Sequence, residues 1–353
     1  MPDWTKTMKQ TFEYYVVDPR TWKDIRPIHD VISSSIKRDA EAETLSSLTI
    51  DISEPIGECY IRVYLVTNQN GIKERFPLGT FIIQTPVWGF DGKAKKTRID
   101  AYSPLLELKE KKPPFGYSIL EQTNIMESAY KILRENMRAP ITKIEKDQTL
   151  HYDFVSNTED TWITFIRDLL YNAKYRLGLD ELGRVVFEPI IDQASQQPVW
   201  YFNDDNSSIL QATVDVTQDL YGIPNVVEVI YSTDKKNYYS RAVNDDSDSI
   251  VSTVNRGREI LYREVNPNTI GNPTQEQLDD YAKRLLKQLS SLEYSITYTH
   301  GYCPVRIGDC VMINYERAGL RNIKAKVITQ QIDCVAGCMV TETATFTNRL
   351  WGD

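Results

Sequence analysis

The feature that most constrains this chain is a change of hydrophobic period along its length, from two to 3.6 and back to two. Up to about Ser103, β-branched and aromatic residues come in short runs or alternate with polar ones, at residues 11–17, 48–52, 59–66, 81–84 and 97–102. That alternation is the mark of half-buried strands. Asn70-Gly71 sits between two such runs and supplies the positive φ of a two-residue hairpin turn. Many short strands separated by turn signals predict a small barrel or sandwich.

The charged, proline-containing stretch Lys109-Glu110-Lys111-Lys112-Pro113-Pro114 reads as a linker, because proline cannot donate to a ladder and a run of charges stays solvated. Helical spacing follows. Ser118 with Glu121 has capping-box spacing ahead of a stripe of Met126, Ala129, Tyr130, Leu133 and Met137, with Pro140 at the end. A second helix is expected from Ser156, with Glu159 three residues on, carrying Trp162, Phe165, Ile166, Leu169, Leu170 and Ala173 on one face. Residues 175–177 and 184–187, joined by Asp180-Glu181-Leu182-Gly183, read as a hairpin.

Strand character returns at 209–216 and 225–231. After the polar interval Asn244-Asp245-Asp246-Ser247-Asp248 comes a third helix, capped by Thr274 with Gln277 and striped by Leu278, Tyr281, Ala282, Leu285, Leu289 and Leu292. Strands close the chain at 294–298, 310–315, 324–332 and 340–346. The expected fold class is α+β, mainly β. The expected domains are a first β domain at 1–104, an α+β module at 105–204, a second β domain at 205–240 and 294–353, and a helical insertion at 241–293.

Composition narrows the function classes. The 353 residues carry a net charge of −8, which argues against a surface built to grip nucleic acid or anionic lipid. No run of about 18 apolar residues exists, so no membrane insertion is expected. Met1-Pro2-Asp3-Trp4-Thr5-Lys6 lacks the basic-then-apolar pattern of a signal peptide, so the chain is expected to fold in the cytosol of the cell that makes it.

The candidate chemical sites are few. Asp91-Gly92-Lys93-Ala94 contains Gly-Lys without the rest of a phosphate loop and reads as a hairpin turn. Cys303, Cys310, Cys334 and Cys338 crowd the last fifth of the chain. They are either a tetrahedral zinc set or buried reduced thiols. Their spacing is not that of a zinc ribbon or knuckle, and Cys334 and Cys338 flank an expected turn. Asp204-Asp205 and Asp245-Asp246 with Asp248 are rich enough in carboxylates for calcium or glycosidase chemistry, but their Asn/Ser context fits solvated turns. His29, His151 and His300 are far apart. No catalytic residue, metal site or cofactor is expected.

The C-terminal stretch His300-Gly301-Tyr302-Cys303-Pro304, then Val305-Arg306-Ile307-Gly308-Asp309-Cys310-Val311, then 325–333 and Asn348-Arg349-Leu350-Trp351, resembles the end of the hub proteins of tailed-phage baseplates and tail tips. Ile99-Asp100-Ala101-Tyr102-Ser103-Pro104-Leu105-Leu106 resembles the end of that family's first barrel. Gly222-Ile223-Pro224-Asn225-Val226-Val227-Glu228-Val229 resembles the start of its second.

The resemblance implies two small tube-like β-barrels per chain and a homotrimer whose six similar domains form a pseudo-sixfold ring. Its implied partners are the tail tube or distal tail protein, a central spike or tip protein and the tape-measure protein. Its implied location is the virion tail, assembled in the host bacterial cytoplasm. DNA would pass through the ring, so no stable nucleic-acid binding and no continuous belt of Lys and Arg on the channel wall are expected. The alternatives are the hub of a phage-tail-like bacteriocin or injection system and, from another class, a glycan-binding or cell-wall-hydrolysing protein.

Overall fold

A computed structural model describes the chain except for residues 1, 54–55, 91, 93–94, 192, 206, 219, 233–235, 268–273 and 350–353. Asp91, Lys93 and Ala94 of the expected turn, and Leu350-Trp351, lie outside the described residues. The fold is α+β and mainly β, and divides into two compact units, residues 1–214 with 298–344 and residues 215–297 with 345–353.

The first unit begins with seven strands: β1 (Lys9–Val17), β2 (Asp24–Ile28), β3 (Val31–Asp39), β4 (Ser46–Ile52), β5 (Tyr60–Gln69), β6 (Ile72–Phe90) and β7 (Lys95–Tyr102). Asn70 and Gly71 turn β5 into β6 with φ of 53° and 83°, and Gln69 pairs with Ile72. This is the two-residue turn read from the sequence. Then come α1 (Leu106–Lys109), β8 (Ser118–Ile119), α2 (Ile125–Asn136), β9 (Phe154–Val155), α3 (Trp162–Asn172), the hairpin β10 (Tyr175–Leu179) and β11 (Val185–Pro189), and β12 (Trp200–Asn203).

Both expected helix starts are corrected. Ser118 pairs with Val155 as strand, and α2 starts where the Asn124 side chain accepts from Glu127 N. Likewise, 157–160 form a turn, with Asp160 Oδ2 accepting from Asn157 N at 2.7 Å, and α3 is capped by Thr161 and Thr164 in a reciprocal box. The apolar stripes nonetheless fall where their period puts them. Met126, Ala129, Leu133, Trp162, Phe165, Ile166, Leu169 and Leu170 are buried in one cluster. That cluster also takes in Val17, Trp22, Leu45, Tyr60 and Ile82 from the strands before it, so the expected boundary near 104 does not interrupt the core. Burying each of the larger aliphatic, Met and Phe side chains among them contributes roughly 1.5–3 kcal/mol.

The remaining elements are β13 (Leu210–Gln218), β14 (Val226–Ser232), β15 (Asn237–Val243), α4 (Thr253–Arg256), β16 (Leu261–Val265), α5 (Gln275–Leu289), β17 (Ser291–Gly301), β18 (Cys310–Tyr315), β19 (Leu320–Asp333) and β20 (Met339–Arg349). One sheet runs in the order β13-β17-β20-β19-β3-β4-β7-β6-β5-β1-β2, with β18 on β19 and β12 parallel to β18. The join is β19 against β3, Thr329 opposite Asp39 through Asp333 opposite Ser35. The two strand-rich regions, expected to be separate domains, therefore share one continuous hydrogen-bonded sheet.

Residues 205–240 do not all go into that sheet. Within the second unit, β14 pairs with β15 antiparallel and with β16 parallel. The stretch Gly222–Val229 opens this three-stranded sheet rather than a second barrel. Asn225 fixes the entry: its Oδ1 accepts from Ile260 N at 2.7 Å and its Nδ2 donates to Arg258 O at 3.0 Å. Helix α5 lays Leu278, Ala282 and Leu286 on Val227, Val229 and Ala242. Its Thr274/Gln277 capping box forms as read from the sequence, but Leu292 falls in β17 rather than on the helix.

Candidate functional site

The densest constellation of reactive residue types lies under the join of β19 and β3. Tyr298 and His300 alternate inward from β17, Glu342 from β20 and Gln330 from β19, and all four are buried. Tyr298 Oη donates to Glu342 Oε2 at 2.6 Å, and Gln330 Nε2 donates to Glu342 Oε1 at 2.5 Å and to Val305 O at 2.9 Å. Arg38 of β3 donates to Gln330 Oε1 at 3.1 Å and to Leu78 O at 2.7 Å. A polar chain thus crosses from the first group of strands to the second. Burial raises the Glu342 carboxyl, but the His300 ring beside it and hydrogen bonds from Tyr298 and Gln330 outweigh that and hold the group below the ordinary carboxylate value. Burial, then the Glu342 charge, pushes the Tyr298 hydroxyl well up.

Cys303 Sγ lies 3.8 Å from His300 Nδ1, and His300 Nε2 lies 3.4 Å from Glu342 Oε1. Cysteine, histidine and glutamate are the residue types of a nucleophilic site. The arrangement works against that chemistry. His300 Nδ1 sits 2.6 Å from Gly301 O, a pure acceptor, so its proton is committed there and cannot be exchanged with the thiol. Burial pushes the Cys303 thiol far above the ordinary cysteine range, and the thiolate is the nucleophilic form. His300 and Glu342 have no exposed surface. The network holds strands together.

Cys310, Cys334 and Cys338 are placed as buried thiols. Cys334 and Cys338 flank the β19–β20 turn, where Cys338 N donates to Val335 O at 2.9 Å. Burial pushes Cys334 up to about 12 and Cys338 further. Asp204 receives two hydrogen bonds from Arg317 at 2.8 and 2.5 Å. Asp205 accepts from Ser207 N and Asp246 from Asp248 N. These are turn and surface ion-pair roles.

A cavity of about 330 Å³ lies between the β10–β11 hairpin and the first strands, lined by Arg38, Arg167, Arg176 and Arg306 and by Glu181 and Glu188, among others. Arg176 pairs with Glu188 at 2.7 Å, and Arg306 pairs with Glu181. The hairpin is latched by one carbonyl. Leu182 O accepts from Trp22 Nε1 at 2.8 Å, Thr80 Oγ1 at 2.8 Å and Arg62 Nη2 at 3.3 Å. Gly308-Asp309 closes the same region. Gly308 has φ of 89°, and a Cβ there would lie 2.0 Å from Arg176 Nη2, while Asp309 Oδ2 accepts from Arg306 N at 2.9 Å. That accounts physically for the Gly-Asp before β18.

No family model matches the chain, and no curated protein matches it. Solved structures do. A tail protein from Neisseria meningitidis MC58 superposes with a TM-score of 0.61 at 13% identity, covering 96% of each chain. The fold is that of phage tail proteins. The 43 kDa tail protein of prophage MuSo2 from Shewanella oneidensis agrees, with a TM-score of 0.62 at 12% identity, covering 95% of this chain and 98% of its own. At that identity the likeness is one of fold. The likeness in fold extends over nearly the whole length of this chain.

Proposed function

We propose that this chain is a structural hub at the tip of a phage-type tail, and that it works by assembly rather than catalysis. The observation that carries the reading is the full-length likeness in fold to two proteins described as tail proteins. The burial of the Cys303–His300–Glu342 constellation supports a structural role for the residues best suited to chemistry.

In this reading the strands β1–β7 and β17–β20 are two tube-like lobes. Three copies present six of them, a pseudo-sixfold ring that matches the tail tube or distal tail protein on one face and holds a threefold spike or tip protein on the other. DNA passes through the centre. A phage-tail-like bacteriocin or injection system would use the same hub. Sedimentation equilibrium of the full chain tests the ring: the expected mass is three times the 40.7 kDa chain. A monomer at high concentration, or release of fragments from purified peptidoglycan, would contradict the reading.

A further inference from the structure

The four arginines that line the cavity of about 330 Å³ in the first unit divide two and two. Arg176 and Arg306 have counter-ions there, Glu188 at 2.7 Å and Glu181. Arg38 and Arg167 have no carboxylate within ion-pair distance among the described residues, and uncharged acceptors hold them instead. Arg38 donates to Gln330 Oε1 at 3.1 Å and to Leu78 O at 2.7 Å. Arg167 Nη2 donates to Ala42 O and Glu43 O, each at 2.9 Å. The Glu43 carboxylate, whose charge Arg167 feels, is itself bound by Lys109 at 2.6 Å. Arg38 is 9% exposed, and burial lowers Arg167 below the ordinary guanidinium value. A buried charge without a counter-ion is costly, so these two guanidiniums are the part of the cavity that a ligand would complete.

The rest of the lining narrows the ligand. Tyr171 and Tyr175 stand with Leu45, Leu78, Leu177 and Ile307, a wall that suits an aromatic or aliphatic body. The volume is at the small end of ligand pockets, which run from about 300 to 1,000 Å³. The acids of the lining are Asp168, Asp180, Glu181 and Glu188. Arg184 takes up Asp180 at 2.5 Å, and Asp168 is exposed. With as many acids as arginines around it, a dianion such as a phosphate monoester meets repulsion that a single negative charge does not. The planar fork of arginine also matches the two oxygens of a carboxylate.

We propose that this cavity binds a monocarboxylate on an aromatic or aliphatic body, with the carboxylate on Arg38 and Arg167 and the body against Tyr171 and Tyr175. Two sources share that chemistry: the last residue of a peptide that ends in a large apolar side chain, and a free organic acid. The site adds a ligand to the tail-hub reading and does not depend on it.

Titration calorimetry of the full chain with N-acetylphenylalanine tests it, and saturable binding is expected. N-acetylphenylalanine amide lacks the charge and inorganic phosphate lacks the body. Each is expected to bind at least about tenfold more weakly, as is N-acetylphenylalanine to Arg167→Gln. Tyr171 is 62% exposed, so Tyr171→Ala leaves the core intact and provides a second probe. It is expected to weaken binding while its urea midpoint and circular dichroism stay those of the wild type. Tighter binding of an oligoglycine peptide ending in phenylalanine than of N-acetylphenylalanine assigns the peptide source, and the reverse order assigns the free acid. No saturable binding, equal affinity for acid and amide, tighter binding of phosphate, or an affinity unchanged in both variants overturns the proposal.

Discussion

Glu342 shows how one residue can tie several strands. Its carboxylate is buried yet hydrogen-bonded by Tyr298 and Gln330 and faced by His300, and a buried charge is tolerable only with such partners. Tyr298→Phe removes a donor and leaves the carboxylate under-satisfied, at an expected cost of about 1–3 kcal/mol in urea denaturation. The folded-state value of Glu342 is depressed. Its contribution is therefore fully present above the unfolded carboxylate value of about 4.3 and is lost as pH falls through the folded value. Urea midpoints measured down the acid range should fall less in Glu342→Gln than in the wild type; equal slopes would show that the group is not held ionised. None of this network was legible in advance. Tyr298, His300 and Glu342 are each a polar position in an alternating strand, the only signal available, and which strands become neighbours is decided by long-range pairing. Gly308 was legible as part of a motif, but the reason for it, a backbone φ of 89° that side-chain-bearing residues rarely adopt, was not.

At the level of elements, period outperformed capping signals. The stripes of α2, α3 and α5 are where 3.6-residue spacing put them, because burial of an apolar face acts on every turn of a helix. Cap residues act once and have competitors. Ser118 was drawn into pairing with Val155, and 157–160 closed a turn, so the helices began later, at Asn124 and Thr161. The cap at Thr274 formed. Thr274→Ala is expected to lower stability by about 0.5–2 kcal/mol in calorimetry. The β10–β11 hairpin was also legible, but its latch was not. Gly183 has φ of 73°, and a Cβ there would lie 2.7 Å from Thr80 Cβ. Gly183→Ala should therefore lift Leu182 O from its three donors and cost more than the roughly 1–2 kcal/mol of the backbone alone. Faster amide exchange at Leu182 and Gly183 would report the loosened loop, and an unchanged rate would argue against the latch.

On the scale of the whole molecule, composition and order of elements gave the class, and pairing decided the division. The continuous sheet arises because β19 presents an edge in register with β3, a pairing between residues almost 300 positions apart. The three-stranded sheet arises because β14 finds β15 and β16 rather than β17. Neither choice is written in local alternation, which specifies a strand's faces and not its neighbours. The tail-hub account makes one further demand on the assembled particle, a channel wall without a continuous belt of Lys and Arg, since such a belt would hold phosphates and stall passage. Tight, salt-sensitive DNA binding by the purified ring would contradict that. The most direct measurement is electron cryomicroscopy of the tail that carries this chain. The account predicts three copies in a closed ring at the tip, between the tail tube and a central spike or tip protein. Copies repeated along the tube, or density for this chain anywhere but the tip, would contradict it.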